Sequence, residues 1–409
     1  MGKPHLHVAY HRKAPYNIGM PRNWNDEVIY HVLIDRFVGH QPPRLGQPDW
    51  AGGTIADITT RLDHLQTLGA TTLLLSPFFQ TSQYHGYHIT DFYQVDQRFG
   101  TLADLQSLTA ELHRRGMRLL IDYVPNHCSS QHPFFLDAIR DPHSKYREWF
   151  IFDHWPTDYK MFLDFPELPK FNLANPETKQ YLIDNALWWL ERVPFDGMRV
   201  DHAIGPVMSF WADFIPALKA KNPTLIFIGE ATFDRMPLKF HDRISIPLLD
   251  LILLRLIPDY MRDKIFARYL RYFDGLLDFS FAHFINQYAS GKISYAALER
   301  KLHKHYRRFR AGRLLPSFLD NHDMDRIMFV AGNDITKVEQ LIKLQFSLPH
   351  PKIIYYGTEF GMTQQQSMTA FPTDGDTVAR EPVNWAEAAT GDYPLQSLYQ
   401  SLAKHHRKP

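Results

Sequence analysis

Eight short runs of apolar and β-branched residues alternate along the chain with longer segments of helical spacing. The runs are almost continuously apolar, which is typical of parallel strands buried on both faces. Eight such strands alternating with helices predict an α/β chain folded as a (β/α)8 TIM barrel. Periodicity alone leaves a doubly wound parallel sheet open as the rival architecture. The predicted strands are residues 28–34, 71–76, 118–124, 197–201, 225–229, 277–281, 314–319 and 352–356.

The spacing of the predicted strands is uneven after the third one. About 70 residues separate the third and fourth strands, and a clear helix start, Asn175-Pro176-Glu177, appears only at the end of that stretch. We therefore predict that residues 1–127 form the first part of the barrel, residues 128–176 an inserted domain, and residues 177–409 the rest of the barrel.

Charge and composition exclude several classes of protein. The 45 Lys and Arg residues balance 44 Asp and Glu residues, which gives no electrostatic footprint for nucleic acid. A single cysteine, Cys128, excludes an intrachain disulfide. No apolar run reaches the roughly 18 residues of a membrane span, and residues 1–20 lack the apolar core of a signal peptide. We expect a cytoplasmic protein without nucleic-acid or membrane partners.

Four of the predicted strands end on polar, titratable residues. In a barrel, the carboxyl ends of all strands meet at one mouth, where active sites lie. A single acid at a strand end is more often a helix cap or a loop residue, but four such ends at one mouth favour a catalytic site. They are 122–127 (DYVPNH), 196–201 (DGMRVD), 229–230 (GE) and 320–323 (DNHD).

Two of these carboxylates fit different chemical roles. Arg199 and Asp201 lie two residues apart on a strand and point the same way, so the arginine is expected to hold Asp201 ionised. Glu230 follows an apolar strand, where a partly dry site would raise its pKa and suit a general acid. Two carboxyl groups with divided roles are the minimal equipment for glycoside hydrolysis, and a separation of about 5–5.5 Å would mean retention of configuration.

The same segments resemble glycoside hydrolase family 13, the α-amylase family. DYVPNH, FDGMRVDHA, FIGEAT and FLDNHD are similar to its four signatures and occur in the same order. LPKFN, residues 168–172, is similar to the neopullulanase and oligo-1,6-glucosidase side of the family. The resemblance covers about residues 24–405 and implies a TIM barrel with an insertion after the third strand. In that family a β-sandwich usually follows the barrel, and none is expected in this chain, which ends at Pro409.

The resemblance also implies a role for each matching residue. Asp201 would be the nucleophile, Glu230 the acid/base, and Asp323 the third carboxylate, which binds sugar hydroxyls and favours a distorted ring. Arg199 would orient Asp201. The sugar next to the scissile bond would be held by His127, His322, the stacking platform Tyr87 and its neighbour His85. No cofactor is required by this chemistry.

A structural calcium ion is a further expectation from the resemblance. Asn126 resembles a common calcium ligand of the family. Further oxygen ligands are available at Asp153, Asp158 or Asp164 in the predicted insertion, and calcium prefers such hard donors. The 22 histidines show no HExxH or similar metal-binding spacing.

Three functions follow from these residues. The first is a retaining hydrolase that acts on α-glucosidic bonds, α-1,4 and/or α-1,6, of starch-derived or related oligosaccharides. The second is a transglycosylase or isomerase that uses the same covalent intermediate. The third is a non-catalytic family member that serves as a binding module, which the joint presence of Arg199, Asp201, Glu230 and Asp323 disfavours.

The last predicted helix carries an apolar face formed by Tyr393, Leu395, Leu398 and Tyr399. Without a following domain, this face is expected to be exposed and to support self-association. The alternative is that the same residues pack on the barrel, as an outer helix must.

Overall fold

Eight parallel strands form one sheet in the computed structural model, which describes residues 23–232, 237–307, 312–371 and 373–406. The outer parts of the predicted barrel segments, residues 1–22 and 407–409, lie outside the described residues. The strands are β1 (Val28–Val32), β2 (Thr72–Leu75), β3 (Arg118–Tyr123), β4 (Gly197–Val200), β5 (Ile226–Gly229), β6 (Gly275–Leu276), β7 (Ser317–Phe318) and β8 (Lys352–Tyr355).

The order of the strands and one further bridge close the sheet into a barrel. Hydrogen-bonded neighbours run β6-β5-β4-β3-β2-β1-β8-β7, and every pair is parallel. The two ends of this series meet where Gly275 bridges Leu314 in parallel and the Leu276 N–H donates to the Leu314 carbonyl at 3.1 Å. The predicted barrel is confirmed, and the doubly wound alternative fails because such a sheet would keep two open edges.

The barrel interior is filled by a cluster of packed apolar side chains. Alternate strand residues point inward, so that Ile29 packs in the interior cluster while its neighbours Val28 and Tyr30 pack outward against helices. The inner cluster is Ile29, Leu74, Leu120, Ile226, Ile228, Leu277, Ala282, Leu314, Phe318 and Ile353. Polar side chains are therefore displaced to the two ends of the barrel.

Helices surround the barrel, and among the described residues none is long and apolar enough to cross a bilayer. Capping boxes begin two of them, at Thr54 with Asp57 and at Thr101 with Asp104. The α-helices are Ile34–Phe37, Ile55–Thr60, Leu62–Leu68, Leu102–Arg114, Pro133–Arg140, Pro176–Arg192, Met208–Lys221, Leu248–Leu256, Pro258–Tyr269, Phe279–Ala289, Tyr295–Tyr306, Ile327–Val330, Ile335–Phe346, Trp385–Ala388 and Pro394–His406.

The stretch between β3 and helix Pro176–Arg192 leaves the barrel pattern. It holds helix Pro133–Arg140 and two antiparallel hairpins, one of Phe152–His154 with Asp158–Tyr159 and one of Met161–Phe162 with Phe165–Pro169. The bridge between His127 and Lys170 ties its two ends together above β3. These elements lie within residues 128–176, where we predict an inserted domain. One more hairpin, Phe79–Thr81 with Ile89–Val95, follows β2.

The sixth strand was predicted in the wrong place. Residues 277–281 were expected to form it, but the strand is Gly275–Leu276 and helix Phe279–Ala289 follows almost at once. Asp278 explains the switch, because its carboxylate caps the helix by accepting the Phe281 N–H at 2.9 Å. Polar and apolar residues alternate in this segment as in a strand, and the cap overrides that pattern.

The prediction of an exposed apolar face on the last helix is also wrong. Leu395 and Tyr399 are each 1% exposed, and Tyr393 and Leu398 are half-buried. Helix Pro394–His406 packs against helices Leu62–Leu68 and Ile335–Phe346. The face therefore belongs to the outer core of the barrel, which removes the argument for self-association through it.

Candidate active site

One buried arginine gathers three carboxylates at the mouth of the barrel. Arg199, near the end of β4, is 3% exposed. Its Nη1 lies 2.7 Å from an Asp122 oxygen and 2.9 Å from Asp201 Oδ1, while its Nη2 lies 2.8 Å from Glu230 Oε2. The acids come from the ends of β3, β4 and β5, so adjacent parallel strands place them side by side.

The sequence prediction gave Asp122 no role. Asp122 accepts hydrogen bonds from Arg199 Nη1 on both of its oxygens and a third from the Tyr87 hydroxyl at 2.7 Å. It therefore holds both the Arg199 guanidinium and the Tyr87 hydroxyl. Its position at the end of a strand with other acid-bearing neighbours was the signal that could have identified it.

The turn after β4 places a backbone donor on Glu230. The His202 N–H donates to Glu230 Oε2 at 2.9 Å, and the Ala203 N–H donates to the Glu230 carbonyl at 2.8 Å. His202 has φ of +42°, a left-handed conformation that is strained for a residue with a side chain. The His202 N–H and Arg199 thus both contact Glu230 Oε2, which leaves Glu230 Oε1 available to a ligand.

Asp323 lies in the segment that follows β7 and interacts with the charge of Arg199. Its Oδ2 lies 3.0 Å from His322 Nε2, and its Oδ1 accepts from Arg380 Nη2 at 2.8 Å. The Asp323 side chain is 46% exposed, against 10% for Asp201 and 14% for Glu230. Asp323 is therefore the carboxylate most open to a polyol ligand.

Arg380 is a second residue that the sequence analysis missed. Its Nε donates to the His322 carbonyl at 2.7 Å, and its Nη1 contacts Asp376 at 2.6 Å and the Tyr84 hydroxyl at 3.2 Å. One guanidinium thus fixes both the backbone and the carboxylate of the His322-Asp323 pair. No motif in the sequence singles it out.

Aromatic and imidazole side chains complete the predicted site. The Tyr87 ring stacks on His322 with centroids 5.2 Å apart and planes 8° apart. His85 Nδ1 accepts the Tyr87 N–H at 3.1 Å, which fixes the loop. His127 Nδ1 pairs with Asn126 Nδ2 at 3.2 Å, and its buried Nε2 has no partner among the described atoms.

A cleft of about 1300 Å³ brings these side chains together. Arg199, one of the eight residues predicted to act on the substrate, lies behind the cleft surface. The other seven line it: His85, Tyr87, His127, Asp201, Glu230, His322 and Asp323. Acidic, imidazole and aromatic groups around one cavity suit a neutral polyhydroxylated ligand with a bond to be cleaved.

Burial and shared charge set the protonation of the cluster. Burial raises the pKa of Asp201 to about 7, and Arg199 opposes this rise while Asp122 and Asp323 add to it. Burial also raises the pKa of Glu230, as predicted, and that of Asp122 to about 6. Burial acts on Asp323 in the same direction, but His322 and Arg380 bring its pKa below the usual range.

The protonation of Asp201 differs from the sequence expectation. Arg199 was expected to hold Asp201 ionised at neutral pH, yet the pKa of Asp201 is about 7. Burial is the main cause of the rise, to which Asp122 and Asp323 add, and Arg199 offsets it only in part while its guanidinium also pairs with Asp122 and Glu230. A proton is therefore held within the cluster near neutral pH, where a general acid needs one.

The surroundings of Asn126 do not fit a calcium ion. Its Oδ1 is buried without a partner among the described atoms, as a ligand oxygen would be. However, the Lys170 ammonium donates to the carbonyls of Gly205 at 2.8 Å and Arg243 at 2.6 Å, and a Cβ on Gly205 would lie 2.0 Å from that Oδ1. A buried cation thus already occupies the neighbourhood in which a calcium ion would be needed.

The acids offered as further calcium ligands are engaged elsewhere. Asp153 lies 2.6 Å from Lys160, Asp158 pairs with His154 at 3.0 Å, and Asp164 pairs with Lys239 and Arg243. In the part of the chain that the structure describes, no group of three or more His, Cys, Asp or Glu residues is arranged to hold a metal.

Comparison with known proteins shows which family this chain resembles. Residues 21–408 match the family model of the alpha-amylase catalytic domain. The chain is 32% identical over 397 residues to alpha-amylase 2 of Dictyoglomus thermophilum, covering 93% of this chain and 63% of that protein. It is 28% identical over 409 residues to neopullulanase 2 of Thermoactinomyces vulgaris, covering 94% and 63%.

A solved structure has the same fold. The cyclic alpha-maltosyl-(1→6)-maltose hydrolase of Arthrobacter globiformis, in complex with that sugar, superimposes with a TM-score of 0.77 at 25% identity, over 94% of this chain and 83% of the other. The chain spans about three fifths of the length of the two curated relatives. Because the family model matches nearly the whole sequence, the chain belongs to the alpha-amylase family through its catalytic domain.

Proposed function

We propose that the chain is a retaining glycoside hydrolase that cleaves α-glucosidic bonds, α-1,4 and/or α-1,6, of starch-derived or related oligosaccharides. The observation that carries the proposal is the contact of both Asp201 and Glu230 with one buried guanidinium, with Asp323 facing them across the cleft. The names of the two curated relatives and of the sugar-bound hydrolase support the substrate class.

The residues divide the reaction into two steps. Asp201 attacks the anomeric carbon and forms a covalent glycosyl-enzyme, while Glu230 gives its proton to the departing glycosidic oxygen. In the second step, ionised Glu230 takes a proton from water, and the water displaces Asp201. The raised pKa of Glu230 keeps the proton available for the first step.

The other residues act on the sugar ring. Tyr87, held by Asp122 and stacked on His322, offers an aromatic face to the C–H surface of the sugar. Asp323, fixed by His322 and Arg380, accepts hydrogen bonds from two sugar hydroxyls. His127 also lines the cleft beside these groups and would contact the same sugar.

The two alternative functions differ from hydrolysis in their products. A transglycosylase or isomerase passes the glycosyl unit to another sugar, and a binding module leaves the sugar unchanged. We expect shorter sugars when the protein is incubated with maltotriose and maltoheptaose and the products are chromatographed. Longer sugars would support transfer instead. A preparation of Glu230→Gln, treated in the same way, controls for contaminating amylases.

The acid limb of the pH profile is expected to lie near neutral pH. Asp201 attacks only when ionised, so kcat/KM for maltoheptaose should fall as the pH drops through the pKa of Asp201, about 7. Asp122→Asn removes a negative neighbour, lowers the pKa of Asp201 and moves this limb to lower pH. Asp213→Asn, at an exposed acid, is the matched control. An unmoved limb in Asp122→Asn would contradict the shared-charge explanation.

We also propose that catalysis and folding need no calcium. The support is the Lys170 ammonium beside Asn126 and the engaged carboxylates around it. Dialysis against a chelator is expected to leave both kcat and the melting temperature unchanged. A drop in either value that added calcium restores would overturn this proposal. The cytoplasmic location stays a prediction from the sequence.

A further inference from the structure

A second pocket lies apart from the cleft. It has a volume of about 660 Å³ and is formed by the hairpin strand Ile89–Val95, the start of helix Pro133–Arg140 and helix Pro176–Arg192. That volume lies within the range of small-molecule sites, about 300–1,000 Å³. None of its described lining residues lines the catalytic cleft.

Three aromatic rings form one side of the pocket. Tyr93, Phe134 and Tyr181 are each half-buried. The Tyr181 ring meets the Tyr93 ring at 5.7 Å and 60° and the Phe134 ring at 5.5 Å and 69°. Trp149 and Trp188 pack behind them, at 5.2 Å from Tyr181 and 5.5 Å from Tyr93. The rings are therefore held in place before any ligand binds.

Polar groups with free hydrogen-bonding capacity surround these rings. The Tyr93 and Tyr181 hydroxyls and the side-chain amides of Gln80 and Gln131 make no hydrogen bond within the described residues, and all four residues line the pocket. Gln94 donates to Asp91 at 2.8 Å, which leaves its amide oxygen free. The pocket thus offers two phenols and three amides to a ligand.

A buried imidazole adds a polar group without a partner. His132 is 2% exposed and lines the pocket. Its Nδ1 accepts the Phe134 N–H at 3.2 Å, so Nε2 carries the proton, and Nε2 has no partner among the described atoms. Burial lowers the pKa of His132 to about 4, so the ring is neutral at pH 7.

The charge of the pocket selects against ionic ligands. No Lys or Arg is among its described lining residues, and Asp91 is the one acid among them. A phosphate or carboxylate ligand would find no cation there, and the single carboxylate would repel it. A neutral molecule with many hydroxyls and apolar C–H faces fits both the rings and the amides.

We propose that this pocket is a second carbohydrate-binding site, which holds a neutral oligosaccharide segment away from the point of cleavage. Its assignment to α-glucans in particular rests on the proposed function. The hairpin connects the two sites physically, since its turn carries His85 and Tyr87 of the cleft and its second strand carries Asp91 and Tyr93 of the pocket. A polymer held at the pocket would therefore contact the same hairpin that carries two residues of the cleft.

The test compares binding of a polymer with cleavage of a short sugar. The binding probe is amylopectin in a native gel, with Glu230→Gln as parent so that the polymer survives. The test variant adds Tyr93→Phe, Tyr181→Phe and Gln131→Ala, which remove hydrogen-bonding groups and keep the ring packing. The matched control adds Tyr260→Phe, Tyr295→Phe and Gln47→Ala, at exposed positions outside both cavities.

We expect the test variant to bind amylopectin about tenfold more weakly than the control variant. The same three changes in the active enzyme should alter kcat/KM for maltotriose by less than about twofold, because the cleft is untouched. Equal retardation of the test and control variants would overturn the second site. If the protein cleaves maltoheptaose but the test and control variants bind amylopectin equally, the proposed function stands and the second site is wrong. If the test variant is retarded less than the control variant but the protein without the Glu230→Gln change cleaves no maltoheptaose, the second site stands and the proposed function is wrong.

Discussion

Asp201→Asn is expected to lower kcat on maltoheptaose by about 10⁴-fold or more, because a carboxamide forms no covalent intermediate. The substitution preserves the shape of the side chain, and its oxygen still accepts from Arg199 Nη1, which lies 2.9 Å from Asp201 Oδ1. Single-turnover and steady-state rates on maltoheptaose measure the loss. If the variant kept more than about a tenth of the wild-type rate, Asp201 would not be the nucleophile.

The same variant is expected to be at least as stable as the wild type above neutral pH. The pKa of Asp201 is about 7 in the folded protein, above its ordinary value of 3.8, so ionisation of this group disfavours folding as the pH rises from about 4 to 7. Asparagine removes that penalty. Melting temperatures at pH 8 should therefore favour the variant, and the difference should shrink towards pH 4. Asp213→Asn, which changes an exposed carboxylate, controls for net charge.

The sequence predicted the barrel and its mouth for a physical reason. Strands buried on both faces need continuous apolar runs, so polar residues at their ends stand out, as Asp201 after β4 and Glu230 after β5 do. Because all strands of the closed barrel are parallel, their carboxyl ends meet at one mouth. The eight residues predicted to act on substrate consequently meet at one cleft, with Arg199 directly behind its surface.

What the sequence could not predict depends on contacts between distant segments. Arg380 lies 57 positions from Asp323 and follows a short 3-10 segment, so only the folded chain shows that it supports the carboxylate. The apolar face of the last helix was visible in the sequence, but the surface covering it was not. Gly69 shows the closeness of that contact, since a Cβ there would lie 2.3 Å from the Ala403 Cβ.

The sharing of Arg199 among three carboxylates also depends on contacts between distant segments. A strand pattern shows that Arg199 and Asp201 point the same way, but the number of carboxylates around one guanidinium depends on the register of three strands. Arg199 lies opposite Asp122 on β3 and Ile228 on β5, which brings Glu230 within reach. This register decides how the single Arg199 charge is divided, and together with burial that division shapes the protonation of the site.

Glu230→Gln is expected to separate the two halves of the reaction. A general acid matters most when the leaving group is poor, so cleavage of maltooligosaccharides should slow by about 10²–10⁴-fold. Aryl glycosides with activated leaving groups need no protonation and should still form the glycosyl-enzyme at a rate near that of the wild type. Pre-steady-state bursts of the released phenol measure this step. Glu191→Gln, at an exposed glutamate, is the control.

Azide should then restore turnover of the activated substrate in Glu230→Gln. Water needs a general base to displace Asp201, whereas azide is an anionic nucleophile that needs none, and the neutral glutamine no longer repels it. The amide oxygen can still accept the His202 N–H that lies 2.9 Å from Glu230 Oε2, so the turn after β4 keeps its geometry. Equal losses on both substrates, with no effect of azide, would show that Glu230 is not the acid/base.

Rescue requires an intact nucleophile, so adding Asp201→Asn to Glu230→Gln should abolish both the burst and the response to azide. This double variant tests both assignments together.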